Sequence, residues 1–72
     1  MESLVLEGLV EAIIFKSEDT GYTVAKVTAN KELITIVGIM PLIQEGQHIE
    51  IKGSIIQHTQ LGRQFNVEEY KE

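Results

Sequence analysis

Hydrophobic and polar residues alternate along this chain in short segments that are separated by polar, glycine-containing stretches. The alternation is clearest over residues 22–29, and a period of two residues is typical of a strand with one buried face. We expect the small residues of this segment to face inward, which leaves Tyr22 and Lys26 outward. The predicted inward-facing residues are Thr23, Ala25 and Val27.

The first segment, Leu4–Ser17, is long, and two glutamates at Glu7 and Glu11 fix its phase if they face water. Their spacing of four residues also fits a helix. Gly8 and the Ile-Ile-Phe run ending at Phe15 nevertheless favour a long strand with a bend or bulge at the glycine. We assign Phe15 to the core. The predicted inward face of this strand is Leu6, Gly8, Val10, Ala12 and Ile14.

Three further strands are predicted from β-branched and aromatic residues in alternation, namely Leu33–Met40, His48–Gln57 and Arg63–Tyr70. Glycines interrupt the first two of them, as sharply curved sheets require. We expect Val37 to share the outward face of its strand with Thr35. The predicted inward residues are Ile34, Ile36, Ile49, Ile51, Gly53, Ile55, Phe65 and Val67.

The connections carry turn signals. The polar cluster Ser17–Gly21 ends in glycine, and the short connector Asn30–Glu32 predicts an antiparallel hairpin between the second and third strands. Pro41 ends strand pairing because it has no N–H to donate. Its segment, Pro41–Gln47, is too short for a full helix and predicts a single turn or loop, and His58–Gly62 predicts a polar loop. In the proline segment, the residue that plugs an open end of the core is Leu42 or Ile43.

Five short strands with no convincing helix predict an all-β fold, a small five-stranded Greek-key barrel of the OB type. An SH3-like barrel is the alternative. The long first strand with its central glycine favours the OB fold, as does the connection between the third and fourth strands, which carries a proline and apolar residues. The 72 residues form one domain, 1–72, near the size at which a single core is only marginally stable.

Composition narrows the class of protein. The chain has 43% hydrophobic and 24% charged residues, which indicates a globular domain, and no apolar run approaches the roughly 20 residues of a membrane helix. It has no cysteine, and its start lacks the basic segment of a signal peptide, so we expect a cytoplasmic protein without membrane contact. The net charge of −5 argues against binding nucleic acid mainly by phosphate neutralisation.

Catalytic and metal signatures are missing from the sequence. The glycines are scattered and none begins a phosphate-binding loop. His48 and His58 lie ten residues apart without a cysteine, which does not fit a zinc site. Glu68 and Glu69 are adjacent, so on a strand they face opposite ways and cannot act as an acid–base pair. We therefore expect no catalysis, metal or cofactor in this chain.

With catalytic and metal sites set aside, the function that remains for this chain is binding through its surface. OB folds take oligonucleotides on the second and third strands and on two flanking loops, where bases stack on aromatic side chains and phosphates meet Lys or Arg. Val37 on the third strand and Gln60 in the second flanking loop are also expected near this binding surface. The alternative is that the tyrosine packs over the barrel mouth while the lysines only solvate the surface. The predicted site residues are Lys16, Tyr22, Lys26, Thr35, His58 and Arg63.

Four segments stand out for their order and spacing: Thr-Gly-Tyr-Thr-Val-Ala-Lys-Val at residues 20–27, Leu-Glu-Gly at 6–8, Ile-Thr-Ile-Val-Gly at 34–38 followed by Pro41, and Gly-Arg-Gln-Phe-Asn-Val-Glu at 62–68. Together they resemble the small OB-like domain at the start of bacterial RecD-like (RecD/TraA family) ATP-dependent DNA helicases. The resemblance covers Leu4 to Tyr70. It implies an N-terminal fragment of a 5′ to 3′ helicase of the exodeoxyribonuclease V alpha type, acting in DNA repair or recombination.

The same resemblance implies that ATP and Mg²⁺ belong to motor domains elsewhere in the parent protein, and that those domains are partners of this one. Two roles are open. The domain contacts single-stranded DNA as an accessory to the motor, or it is a docking module without DNA contact. We expect a monomer with weak autonomous DNA affinity. The outward apolar residues that would serve docking are Leu9, Ile13, Val37 and Ile56.

Overall fold

Five paired β-strands make up the fold in the computed structural model. The structure describes residues 3–58 and 62–71. Their bounds are β1 Leu4–Lys16, β2 Tyr22–Ala29, β3 Glu32–Ile39, β4 His48–His58 and β5 Gly62–Lys71. The predicted strands have the right order and number, with ends displaced by at most one residue. The described part of the chain contains no helix that could cross a membrane.

The strands close into a barrel in the order β1-β2-β3-β5-β4, with β4 returning to β1. Every pairing is antiparallel except that of β3 with β5, which is parallel. Full closure leaves the sheet without a long free edge. This architecture confirms the predicted five-stranded barrel of the OB type rather than the SH3-like alternative.

Two connections behave as predicted. Asn30 and Lys31 both have positive φ, 52° and 66°, between the paired residues Ala29 and Glu32. Two central residues of this kind form the type I′ turn, whose twist matches that of a hairpin. In the segment between β3 and β4, Ile43 is 1% exposed and plugs the core, whereas Leu42 is exposed.

The core is formed by the inward residues of β2 to β5 together with Val10, Met40 and Ile43. Phe65 is fully buried, as predicted, and Thr23 is the buried polar residue among those described. Its hydroxyl has two backbone carbonyls within hydrogen-bond distance, those of Gly21 at 3.0 Å and Met40 at 3.2 Å. The prediction that Ile55 is buried is wrong, because Ile55 lies at an open end of the barrel and is 48% exposed.

Strand β1 departs most from its predicted phase. Its register with β2 shifts between Val10 and Ala12 and again between Ile13 and Phe15. Each bulge adds one residue to β1 and therefore moves the following side chains to the other face. Ile13 consequently packs against the core. The predictions of an inward Ala12 and an inward Ile14 are wrong for this reason: Ala12 pairs with the outward Lys26, and Ile14 is exposed. The prediction of a buried Phe15 is also wrong, because the second bulge restores the original phase and Phe15 lies on the outer side, 54% exposed.

Candidate nucleic-acid interface

The outer surface of β1, β2 and β3 carries a group of apolar and aromatic side chains, which we call the aromatic face. Phe15 pairs with Val24, Val24 pairs with Val37, and Tyr22 pairs with Ile39 in the next row. Directly paired residues point to the same side of a sheet. The aromatic face is defined by Phe15, Tyr22, Val24, Val37 and Ile39.

Two aromatic rings are accessible on this face. Phe15 is 54% exposed and Tyr22 is 40% exposed. The backbone N–H of Ser17 donates to the Tyr22 carbonyl oxygen at 2.8 Å, so the two strands stay paired up to the turn. Phe15 and Tyr22 are thus diagonal neighbours, at the spacing of about 7–8 Å that aromatic side chains can span. Together they offer a platform for flat, unsaturated groups.

The turn behind Tyr22 is held by short local hydrogen bonds. The Gly21 N–H donates to the Ser17 carbonyl at 2.8 Å, and the Tyr22 N–H donates to the Thr20 hydroxyl at 3.2 Å. Gly21 has φ of +78°, a conformation that favours glycine, and a side chain there would press against Pro41. The turn therefore fixes the start of β2 and the position of Tyr22.

A cross-strand pair of Lys26 and Thr35 lies beside the aromatic face. The Lys26 ammonium donates to the Thr35 hydroxyl oxygen, with Nζ and Oγ1 2.6 Å apart in a half-buried position. Among the described residues the ion pair found is that of Lys71 with Glu50, so Lys26 has no carboxylate partner there. An ammonium has three donors, which leaves two of them for a ligand.

The structure separates Lys16 from this group. Lys16 pairs with the inward Thr23, and its ammonium donates to the Ile43 carbonyl oxygen at 3.4 Å, at the end of the barrel. His58 and Arg63 lie on the paired ends of β4 and β5, but their side chains are outside what the structure describes. Gln60 also lies outside the described residues. The binding roles of all six residues stay predictions.

Acidic residues surround the candidate surface and oppose phosphate. Glu18 and Asp19 are exposed in the turn before Tyr22. Glu11 accepts a hydrogen bond of 2.7 Å from the Thr28 hydroxyl, and Glu45 accepts one of 2.9 Å from the backbone N–H of Ile13. With these carboxylates nearby, the surface has to attract a ligand through ring stacking and apolar contact more than through charge.

The docking surface predicted from the sequence does not form as a unit. Val37 lies on the outer side but is only 7% exposed, and Ile13 packs against the core. Leu9 is half-buried. Ile56 alone of the four is substantially exposed, at 42%. The accessible apolar surface lies elsewhere, at the bulged end of β1 and on the aromatic face, where Ile39 is 57% exposed.

A cleft of about 300 Å³ opens near the other end of β3. Pairing between β3 and β5 begins where Thr35 meets Gln64, so the strands diverge before that point. The lining combines apolar side chains with four that carry polar groups. They are Leu6, Leu33, Ile34, Ile55 and Phe65, together with Lys26, Glu32, Thr35 and Gln64. Lys26 and Thr35 thus lie between the cleft and the aromatic face.

The strand order, the parallel β3–β5 pairing and the exposed face on β2 and β3 define an OB-fold domain. The crystal structure of the SSB domain of a protein from Synechococcus sp. has the same fold: its TM-score is 0.71, and the match covers 100% of this chain and 96% of that one at 13% identity. The family model described as the OB-fold domain of the ATP-dependent DNA helicase YrrC matches residues 2–72. The chain belongs to this family of helicase OB-fold domains.

Proposed function

We propose that this domain is a non-catalytic accessory to a DNA helicase motor and engages single-stranded DNA weakly through the aromatic face. The observation that carries the proposal is the exposure of Phe15 and Tyr22 as diagonal neighbours on the outer side of β1 and β2. Bases stack on such rings in OB folds regardless of sequence. Lys26 would meet a phosphate of the same strand.

The family of helicase OB-fold domains supports a parent protein that uses ATP, and the sequence resembles RecD-like helicases within that class. We propose that the parent moves 5′ to 3′ and that ATP and Mg²⁺ bind its motor domains. This domain would steady the DNA strand beside the motor. That role does not require high affinity, which agrees with a net charge of −5.

Binding should be weak and only slightly sensitive to salt. Lys26 lies beside the aromatic face, and Lys16 and Arg63 are the further cations predicted from the sequence. At most three phosphate contacts on a single strand give a slope no steeper than about −2 for log K against log salt. Fluorescence anisotropy of a labelled thymidine dodecamer at 20–200 mM salt measures this slope. Titration of the matching duplex is the control, because its bases are already stacked. A slope near −6, or equal binding of the duplex, would show that phosphates and not bases are recognised.

A second candidate function, docking on the motor domains, is favoured by Ile14, Ile39 and Leu42, which are 59%, 57% and 70% exposed. A patch of exposed apolar side chains often marks an interaction surface. Hydrogen exchange of the full-length helicase, compared with the isolated domain, tests this role. Slower exchange around Ile14 and Ile39 without DNA supports docking, and unchanged exchange argues against it.

A further inference from the structure

We propose that the cleft between β3 and β5 holds one unstacked base of single-stranded nucleic acid, with the adjoining phosphate on Lys26. This inference rests on the proposed function and assigns a second place of contact to it. The cleft volume of about 300 Å³ lies at the lower end of the range for ligand pockets. Such a space suits a single flat ring system and not a stack of bases.

The lining has the chemistry of a base site. Leu6, Ile34 and the fully buried Phe65 supply apolar walls, while Leu33 at 61% and Ile55 at 48% exposure stand at its rim. Leu33 and Ile55 leave apolar surface in water that a base would cover. The Gln64 amide can both donate and accept hydrogen bonds, so it can meet the edge of any base.

The ammonium of Lys26 favours a ligand with a negative charge. Lys26 is half-buried, has no carboxylate partner among the described residues and keeps two of its ammonium donors after the 2.6 Å hydrogen bond to Thr35. A phosphate oxygen satisfies those donors and balances the charge of Lys26, against the opposing charge of Glu32, which also lines the cleft. An apolar peptide side chain would fill the walls of the cleft but leave Lys26 uncompensated. A nucleotide therefore matches the site better than a peptide.

Position links the cleft to the aromatic face. Tyr22 and Lys26 are four residues apart on β2, which is about 13 Å along a strand. This spacing equals about four nucleotides at the 3.4 Å rise of a stacked strand. One DNA segment can thus stack on Phe15 and Tyr22, pass Lys26 and turn its next base into the cleft.

Two Ile→Phe substitutions at adjacent positions of β4 test the proposal. Ile55→Phe enlarges a side chain at the cleft rim, whereas Ile56→Phe enlarges a similarly exposed residue outside the lining and serves as the control. We expect Ile55→Phe to weaken binding of a thymidine octamer about fivefold or more, as loss of one base contact does. Ile56→Phe should stay within about twofold of the unsubstituted protein.

Methyl NMR of the unsubstituted domain adds a readout that needs no variant. Thymidine octamer should shift the methyl signals of Leu33 and Ile55, and an octamer of abasic sugar-phosphate should not. Methyl shifts confined to Val24, Val37 and Ile39 of the aromatic face, with normal binding by Ile55→Phe, would overturn the cleft proposal and leave the proposed function standing. Equal cleft shifts with the abasic octamer would also overturn it. If millimolar octamer shifts neither region, both proposals fail.

Discussion

Replacing Gly53 by alanine is expected to destabilise the domain by at least about 3 kcal/mol. Gly53 lies at the register shift between β4 and β5 and pairs with Val67. A Cβ there would lie 2.9 Å from the Asn66 carbonyl carbon and closer still to its oxygen. Backbone cannot yield as a flexible side chain does, so β4 would have to separate from β5. A domain of this size has about 4–11 kcal/mol of stability in total, so the variant should lose between about a quarter and three quarters of it.

Gly46→Ala is the matched control for the Gly53 prediction. Gly46 has φ of +86°, but a Cβ there meets nothing within 4 Å. Its cost is the left-handed conformation alone, about 1–2 kcal/mol. Urea unfolding of both variants, followed by far-UV circular dichroism, gives the two free energies of unfolding. If Gly53→Ala is no less stable than Gly46→Ala, the close contact between β4 and β5 is not a constraint on the fold.

Removing both rings of the aromatic face has the largest expected effect on binding. Each stacked base is worth about 1–3 kcal/mol by alanine substitution, so Phe15→Ala with Tyr22→Ala should weaken binding about 30-fold or more. For a weak complex this is loss of detectable binding. Because both side chains are exposed, the double variant should keep its fold and most of its stability.

Val5→Ala is the control for the double variant, since Val5 is 58% exposed and pairs with Lys52 on the side of β1 that contacts β4. It also removes exposed apolar surface, though less than the double variant does, and it lies outside the aromatic face. Anisotropy titrations at 20 mM salt give the three affinities. Equal affinities for the unsubstituted protein and the double variant would show that bases do not stack on these rings.

Much of the barrel was predictable because hydrophobic and polar residues alternate regularly along most of its strands. Thr23, Ala25 and Val27 occupy the inner side of β2 as the sequence indicated, and Phe65 and Ile43 fill the core. These positions depend on local pattern and on simple burial of apolar groups. Tyr22 was predictable in the same way, since it follows a glycine turn and begins an alternating strand.

Alternation from Glu7 and Glu11 places Phe15 outward, and it lies there because the two bulges of β1 cancel; its burial was predicted from its residue type. Alternation fails for Ala12, Ile13 and Ile14, whose sides are decided by bulges that exist only in the pairing of β1 with β2. A bulge is set by the register of the partner strand, which a pattern within one strand does not contain. The run of three apolar residues at Ile13, Ile14 and Phe15 is the signal that strict alternation fails there. Ile55 was mispredicted for another reason: its direction is inward, but it stands where the barrel is open.

A two-dimensional NMR titration of the isolated domain with a thymidine octamer at low salt shows most directly whether the aromatic face binds single-stranded DNA. We expect fast-exchange shifts that increase up to millimolar DNA and are largest at Phe15, Tyr22 and Lys26. Signals from Val5 and His48, on the other side of the barrel, should stay unchanged. If no signal of the aromatic face moves at millimolar DNA, or if the shifts are uniform over the surface, the aromatic face does not bind single-stranded DNA.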